Sequence, residues 1–70
     1  MSFDFDVEPC KCGHIPEIFT QFPVAKQKYQ GIVECPECGE RIRGKQWHWD
    51  EDDAAEDAVE EWNKAMKVTP

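Results

Sequence analysis

Four cysteines stand in two close pairs, and their thiols are the groups best suited to chemistry in this chain. The first pair, Cys10 and Cys12, is separated by one residue, and the second, Cys35 and Cys38, by two. Zinc takes four thiolates tetrahedrally at about 2.3 Å, and such short spacings let both sulfurs of a pair face one ion. A glycine after each pair permits the positive φ that folds backbone amides toward the sulfurs. We therefore predict one structural Zn²⁺ bound by all four cysteines.

Three other roles for the cysteines compete with zinc binding. Two disulfides would need an oxidising compartment, and the chain begins MSFDFDVE, which has neither the basic start nor the apolar stretch of a secretory signal. A redox dithiol of the thioredoxin type would need a βαβ context, which neither pair has. Ordinary buried thiols do not account for the paired spacing. Zinc is therefore our interpretation, with iron in a rubredoxin-like site as the minor alternative.

The two histidines have weaker claims to a role in this site. His14 lies two residues after Cys12, and it can replace Cys10 as a ligand if the one-residue chelate is too strained. Because four thiolates already complete a tetrahedron and leave no open position, we expect His14 to begin a strand instead. His48 lies between two tryptophans with no acid–base partner in the neighbouring sequence, so we expect it to pack and not to catalyse.

The size and charge of the chain bound its function. Its 70 residues form one domain at most, and so small a domain buries little surface without a metal or another cross-link. It carries 8 Lys plus Arg against 15 Asp plus Glu, a net charge of −7, which argues against a generally basic nucleic-acid-binding protein. No apolar run approaches the roughly 18 residues of a membrane span. We therefore expect a cytoplasmic protein.

Short strands and one helix must position the cysteines. Three strands fit residues 15–22, 27–34 and 41–48, which are rich in β-branched and aromatic residues and are punctuated by Gly and Pro. Apolar residues at three- and four-residue steps predict an amphipathic helix over residues 53–67. Asp53 is the expected N-cap of this helix.

These elements predict a small α+β metal-stapled domain. We expect a zinc ribbon with a three-stranded antiparallel sheet, two cysteine knuckles and a C-terminal helix packed on the sheet. Residues 1–8 are predicted to form a flexible acidic arm, and residues 9–70 the single zinc-ribbon domain. The predicted core consists of Ile18, Phe19, Phe22, Ile32, Val33, Ile42, Trp47, Ala58, Val59, Trp62 and Met66.

Short motifs in the two knuckles and the helix together match a known pattern. The matching residues are Pro9, Cys10, Cys12 and Gly13, then Cys35, Pro36, Cys38 and Gly39, then Ala58, Val59, Trp62 and Asn63. Across residues 9–67 the chain resembles the Lar-like restriction alleviation family of small phage and prophage zinc-ribbon proteins, although its first knuckle lacks one spacer residue. The resemblance implies a phage-type protein that moderates a host restriction–modification system.

The distribution of charge favours two binding functions. Eight acids and no base lie in residues 50–61, which favours a protein-interaction module that binds a host protein with a basic surface. The alternative is a nucleic-acid-binding zinc ribbon, with alternating cations on one strand face beside aromatic rings. The acids are Asp50, Glu51, Asp52, Asp53, Glu56, Asp57, Glu60 and Glu61; the cations are Lys26, Lys28, Arg41, Arg43 and Lys45; the rings are Tyr29, Trp47 and Trp49.

Each binding function has a plainer explanation. The acids can be a solvated helix face that keeps a small domain soluble. The cations face an overall excess of acid, and so small a domain needs its tryptophans for the core. The sequence shows no nucleophile beside a base, no phosphate-binding loop and no open metal position, so we expect no enzyme, no small-molecule substrate and no membrane partner.

Overall fold

Three strands and one helix make up the fold. The structure is a computed structural model that describes residues 6–66. In chain order its elements are β1 (Glu17–Gln21), β2 (Gln30–Glu34), β3 (Arg41–Arg43) and α1 (Glu51–Met66). The strands form one antiparallel sheet in the order β1-β2-β3, and α1 packs mainly on the central strand. The predicted three-stranded sheet with a C-terminal helix is therefore confirmed.

The strand register assigns each side chain to one face of the sheet. Paired residues of neighbouring strands share a face, and side chains alternate along each strand. The row that packs against α1 is Ile18, Val33 and Ile42, and the row on the opposite face, which we call the outer face, is Phe19, Ile32 and Arg43.

The helix approaches the sheet most closely at Gly31. A Cβ atom on Gly31 would overlap the carbonyl oxygen of Ala54 and would lie 2.9 Å from the Cβ of Ala58. Only glycine leaves room for the helix backbone at this point. Ala54, Ala55 and Ala58 are fully buried, so small residues on the helix continue the close contact.

The core combines apolar side chains with two of the cysteines. Its buried cluster consists of Cys10, Val33, Cys35, Ala58, Val59 and Trp62, with Val7, Ile18, Ile42 and Met66 partly buried against it. Ile32 is also fully buried. Eight of the eleven predicted core residues are therefore buried or packed on the cluster: Ile18, Ile32, Val33, Ile42, Ala58, Val59, Trp62 and Met66.

Three core predictions are wrong: Phe19 is on the other face of the sheet, and Trp47 and Phe22 lie outside the strands. Phe19 faces away from the helix and is only half-buried. Trp47 is also half-buried and outside the cluster. The next residue, His48, faces α1, so Trp47 lies on the outer side of the chain. Phe22 is 50% exposed, with its ring centroid 4.7 Å from that of Tyr29. It follows the end of β1, beyond the start of the helix.

The first two strands are shorter than predicted because of local backbone geometry. β1 begins only after Pro16, which has no N–H to give to a ladder. Gln27 adopts a left-handed φ of 54° in a turn where the N–H groups of Lys26 and Gln27 both donate to the Pro23 carbonyl. This turn delays β2 until Gln30.

The third strand is shorter because the chain leaves the sheet after Gly44. The Gly44 N–H still donates to the Gly31 carbonyl at 3.0 Å, but the next residues turn toward α1. Pairing resumes at His48, which exchanges two backbone hydrogen bonds with Tyr29, of 2.7 and 2.8 Å. The predicted strand 41–48 is therefore β3 plus one isolated bridge.

The helix starts two residues earlier than predicted, so Asp53 is not its N-cap. The Asp50 carbonyl accepts the Ala54 N–H at 3.1 Å, and α1 begins at Glu51. Acids in the first turn favour this start because they interact with the positive end of the helix dipole. The predicted end at residue 67 lies outside the described residues.

Residues 6–8 bond to the last turns of the helix. The buried Trp62 indole N–H donates to the Glu8 carbonyl at 2.8 Å. Asn63 accepts the Glu8 N–H at 2.7 Å and donates to the Asp6 carbonyl at 2.8 Å. Residues 1–5 of the predicted arm lie outside the described residues, so the flexible arm stays a prediction. Within residues 6–66, no helix is both long and apolar enough to cross a bilayer.

Candidate metal centre

Knuckle 2, residues 35–40, is a tight turn that follows β2 directly. The Cys35 N–H donates to the Glu40 carbonyl at 2.8 Å, and the Gly39 N–H donates back to the Cys35 carbonyl at 2.9 Å. Gly39 has a φ of 78°, a left-handed conformation that a side chain disfavours. The turn returns the chain into β3 and leaves both sulfurs on one side.

Knuckle 1, residues 10–14, closes in the same way with one residue fewer. The Cys10 N–H donates to the His14 carbonyl at 2.8 Å, the Gly13 N–H donates to the Cys10 carbonyl at 2.8 Å, and Gly13 has a φ of 93°. Each knuckle therefore uses a reciprocal pair of backbone bonds and one left-handed glycine. The missing spacer shortens the turn without changing how it closes.

The two knuckles bring all four sulfurs into one cluster. The Sγ atoms of Cys10, Cys12, Cys35 and Cys38 all lie within 4.8 Å of one another. The Cys10–Cys38 pair is 3.1 Å apart and the Cys12–Cys35 pair 3.4 Å, and all four thiols are free. Four thiolates at about 2.3 Å from a tetrahedral Zn²⁺ would stand about 3.8 Å apart. The cluster therefore fits one metal ion after shifts of less than an ångström in the shorter pairs.

The cluster has a two-fold character in its burial. The first cysteine of each knuckle, Cys10 or Cys35, is buried in the core, and the second, Cys12 or Cys38, is exposed. Each short sulfur–sulfur contact joins a buried cysteine of one knuckle to an exposed cysteine of the other. Two of the four sulfurs therefore lie in the core with Trp62, and the sulfurs of Cys12 and Cys38 complete the group on the solvent side.

Backbone and sulfur contacts give the thiols unequal acidity. The Cys38 backbone N–H, helped by that of Glu37 and opposed by burial, lowers the pKa of Cys35 to about 7. The Cys10 sulfur holds the proton of its neighbour and raises the pKa of Cys38 to about 12. A bound cation replaces such shared protons, because a metal ligand must be the thiolate.

His14 is exposed and lies outside the four-sulfur group. Its Nδ1 is 3.5 Å from the Sγ of Cys12, whereas the sulfur of Cys10, the residue that His14 was expected to replace if the chelate were strained, lies within the group. The structure thus brings together all four predicted ligands, and His14 contacts only the rim of the cluster.

His48 has an acidic partner that the local sequence does not show. Its Nε2 donates to the Oδ2 of Asp57 at 2.9 Å, and the Gln46 N–H donates to the same oxygen at 3.0 Å. Burial raises the pKa of Asp57, but hydrogen bonds from His48 and from the Gln46 and Lys45 amides outweigh it and leave that pKa below its usual value. The partner of His48 lies nine residues along the chain, outside the neighbouring sequence on which its predicted packing role was based. Asp57 reaches His48 because the chain turns back into α1, and no periodic pattern in the sequence predicts this contact.

The predicted cations and rings lie in several different environments. The Arg41 guanidinium pairs with Glu34 at 2.9 Å, and the Lys45 ammonium lies 3.6 Å from Glu61. The Lys26 and Lys28 ammonium groups lie over the rings of Trp47 and Trp49, at 5.8 and 4.8 Å from their centroids. Within the described residues, two of the five cations are therefore in ion pairs, two are in cation–π contacts, and Arg43 is in neither.

Comparisons with known proteins add no relative to this description. No family model matches the chain, and no match is found among the curated proteins or the solved structures. Function must consequently be inferred from the molecule itself, and within residues 6–66 the four-cysteine cluster is a group that could hold a metal ion.

Proposed function

We propose that the chain is a zinc ribbon whose two knuckles bind one structural Zn²⁺ through Cys10, Cys12, Cys35 and Cys38. The convergence of four free thiols within 4.8 Å carries this proposal. Soft thiolates in a tetrahedral set suit zinc. Four protein ligands fill the coordination sphere, so the ion holds the fold together and does not activate a substrate. Binding a structural zinc releases about 10–16 kcal/mol at neutral pH, which becomes folding free energy.

Metal analysis joined to native mass spectrometry tests this proposal. We expect one zinc per chain in the wild type and none in Cys35→Ser, and tetrahedral tetrathiolate absorption when Co²⁺ replaces zinc. His14→Gln is the matched control, because its side chain touches Cys12 but lies outside the sulfur group, and it should keep one zinc. The proposal is contradicted if the protein is isolated as a coloured iron form or if it stays folded without metal in strong chelator. It is also contradicted if its mass is lower by the four hydrogens that are lost when four thiols form two disulfides.

We further propose that this domain is a protein-interaction module that binds a basic surface through α1. Asp52, Glu56 and Glu60 are exposed and stand four residues apart, so they form one stripe along the helix. Like charges at this spacing destabilise a helix by about 0.2–0.5 kcal/mol per pair. A basic partner would relieve that repulsion. Other acids of the helix are already engaged, since Asp57 bonds His48 and Glu61 lies near two lysines.

Affinity capture with matched charge variants tests the interaction. The first variant carries Asp52→Asn, Glu56→Gln and Glu60→Gln, and we expect it to lose partners that the wild type retains from the host lysate at low salt. A control with equal charge change carries Glu17→Gln, Glu37→Gln and Glu40→Gln, three exposed acids away from the helix, and should keep them. Identical retention by both variants would count against the acidic stripe.

The role in restriction alleviation stays a prediction from the resemblance. It is tested by the plating efficiency of unmodified phage on a restricting host that expresses the chain. A rise in efficiency that the Cys35→Ser variant does not give would support the role, and an unchanged efficiency would exclude it for that restriction system.

A further inference from the structure

The outer face carries aromatic rings that neither the core nor the metal centre uses. Trp49 is 74% exposed, and the Lys28 ammonium lies 4.8 Å from the centroid of its ring. Trp47 is half-buried, and the Lys26 ammonium lies 5.8 Å from its ring centroid. The buried tryptophan of the core is Trp62, so the fold does not need Trp49 in its interior. A ring left in water contributes little to stability, because tryptophan stabilises a fold mainly by burial.

The backbone register places these groups together. His48 faces α1, where it bonds Asp57, so its two tryptophan neighbours point to the other side of the chain. His48 pairs with Tyr29, which sets the neighbouring Lys28 on that same outer side. Arg43 extends the outer face along β3. Two indoles and three cations thus share one side of the domain.

Two acids of the sheet, Glu17 and Glu34, share the outer face by register, and Glu34 is paired there with Arg41 at 2.9 Å. In the part of the chain that the structure describes, Lys26, Lys28 and Arg43 enter no ion pair with an acid. The exposed carboxylates of α1 lie on the side of the helix that faces away from the sheet, and a helix with its side chains is about 10 Å in diameter. Screening at about 0.1 M salt acts over about 10 Å, so those acids repel an anion on the outer face only weakly. The net charge of −7 therefore does not describe this surface.

We propose that the outer face binds single-stranded nucleic acid. Trp49 is the platform on which a base stacks, and Lys28, Lys26 and Arg43 contact the phosphates on either side of it. Exposed indole faces attract unpaired bases of any sequence, and neighbouring cations supply the backbone contacts. A duplex does not suit this surface, because its bases are stacked on one another and offer no free face to a side-chain ring. This binding is independent of the acidic stripe on α1.

Fluorescence anisotropy with a labelled oligothymidylate of about 12 nucleotides tests the proposal. The zinc-loaded wild type should bind it at about 50 mM salt and bind a matching oligouridylate too, while a duplex of the same length binds much more weakly. Trp49→Ala should weaken binding about 5- to 150-fold, the range expected when one base no longer stacks on a ring. Lys28→Gln with Arg43→Gln should lower the slope of log affinity against log salt by about 0.7 for each phosphate that the variant no longer neutralises.

Two matched variants and one competitor keep the test specific. Val24→Ala removes another exposed apolar side chain, and Lys64→Gln removes a cation on the helix; both should bind like the wild type. Zinc content is measured on every variant, so loss of the fold is distinguished from loss of the surface. The proposal is overturned if no oligonucleotide binds at low salt, if Trp49→Ala binds unchanged, or if polyglutamate of equal charge displaces the oligonucleotide as well as unlabelled strand does.

Discussion

The two ends of the sheet are held by different chemistry. At the cysteine end, which comprises the two knuckles, Cys10 and Cys35 are buried beside Trp62 in the apolar cluster. At the histidine end, which comprises residues 23–29 and 44–50, the contacts are polar and half-exposed, and they meet at Asp57. The helix runs from the histidine end to the cysteine end and packs on β2 between them. The buried cluster therefore joins the helix to the cysteine end, and hydrogen bonds to Asp57 join it to the histidine end.

On the proposed function, removing the zinc should unfold the cysteine end and with it the whole domain. In a chain of 70 residues the apolar cluster is too small to replace a contribution of about 10 kcal/mol or more. We expect strong chelator or Cys35→Ser to abolish the cooperative thermal transition and to collapse the dispersion of amide NMR signals. Re-addition of Zn²⁺ should restore both for the chelated wild type and for neither in the variant.

A sharper form of this test compares buried with exposed cysteines. Cys12→Ser changes a solvent-exposed ligand and leaves the apolar cluster intact, so we expect weakened zinc binding with a residual fold at high zinc. Equal collapse of the Cys12→Ser and Cys35→Ser proteins would show that the core position of the sulfur does not matter.

Closing the gap at Gly31 should disturb both ends at once. Gly31→Ala places a methyl group against the Ala54 carbonyl, which is helix backbone and cannot move aside alone. We expect a loss of about 3 kcal/mol in the free energy of unfolding, measured with urea in excess zinc. Gln30→Ala, in the same strand on the opposite face, is the control and should cost less than about 1 kcal/mol. A Gly31→Ala protein as stable as the control would mean that the helix can slide away from β2.

Much of this architecture follows from the sequence, and the remainder depends on contacts made after folding. The cysteine spacing predicts the four-sulfur cluster, the residue types between the knuckles predict three strands, and the helical periodicity predicts Trp62 in the core. The limits of the strands depend on single backbone conformations, such as the left-handed Gln27, that no periodicity encodes. The His48–Asp57 contact depends on where the helix begins, and the exposure of Phe22 depends on where it stops covering the sheet. Patterns in short stretches of sequence do not predict such contacts between distant elements.

Removing the Asp57 carboxylate should loosen the histidine end only. Asp57→Asn loses the charge that accepts hydrogen bonds from His48 and from the Gln46 amide, and we expect about 2 kcal/mol of destabilisation at neutral pH. Amide exchange should accelerate at Tyr29 and His48 while the knuckle amides keep their protection. Glu56→Gln, on the exposed side of the helix, removes two like-charge contacts and should not lower stability.

The pH dependence of this difference has a defined sign. The pKa of Asp57 in the folded chain lies below its ordinary value of 3.8, so its stabilisation is present above 3.8 and is lost as pH falls through the folded value. The gap between wild type and Asp57→Asn should therefore shrink below pH 3.8. Acid also protonates the thiolates and releases the proposed zinc, so the two proteins are compared only in the pH range where both still unfold cooperatively with zinc bound. A gap that widens in this range would contradict the role given to the carboxylate.

The smallest expected effects concern the turn residues that differ between the two ends. The knuckles place glycine at their left-handed positions, whereas the turn at the histidine end places Gln27 there at a φ of 54°. A Cβ on Gly39 would meet no atom within 4 Å, so Gly39→Ala tests backbone conformation alone, and we expect a loss of about 1–2 kcal/mol.

Gln27→Gly makes the opposite change at the histidine end. Relief of the left-handed strain is partly offset by the greater entropy of an unfolded glycine, so we expect a gain of about 0.5 kcal/mol. Both variants are measured by urea unfolding of the zinc-loaded protein, with Gln21→Gly in extended backbone as a control that should lose stability. If Gln27→Gly loses as much as the control, the left-handed turn contributes no strain, and the two ends do not differ in this respect.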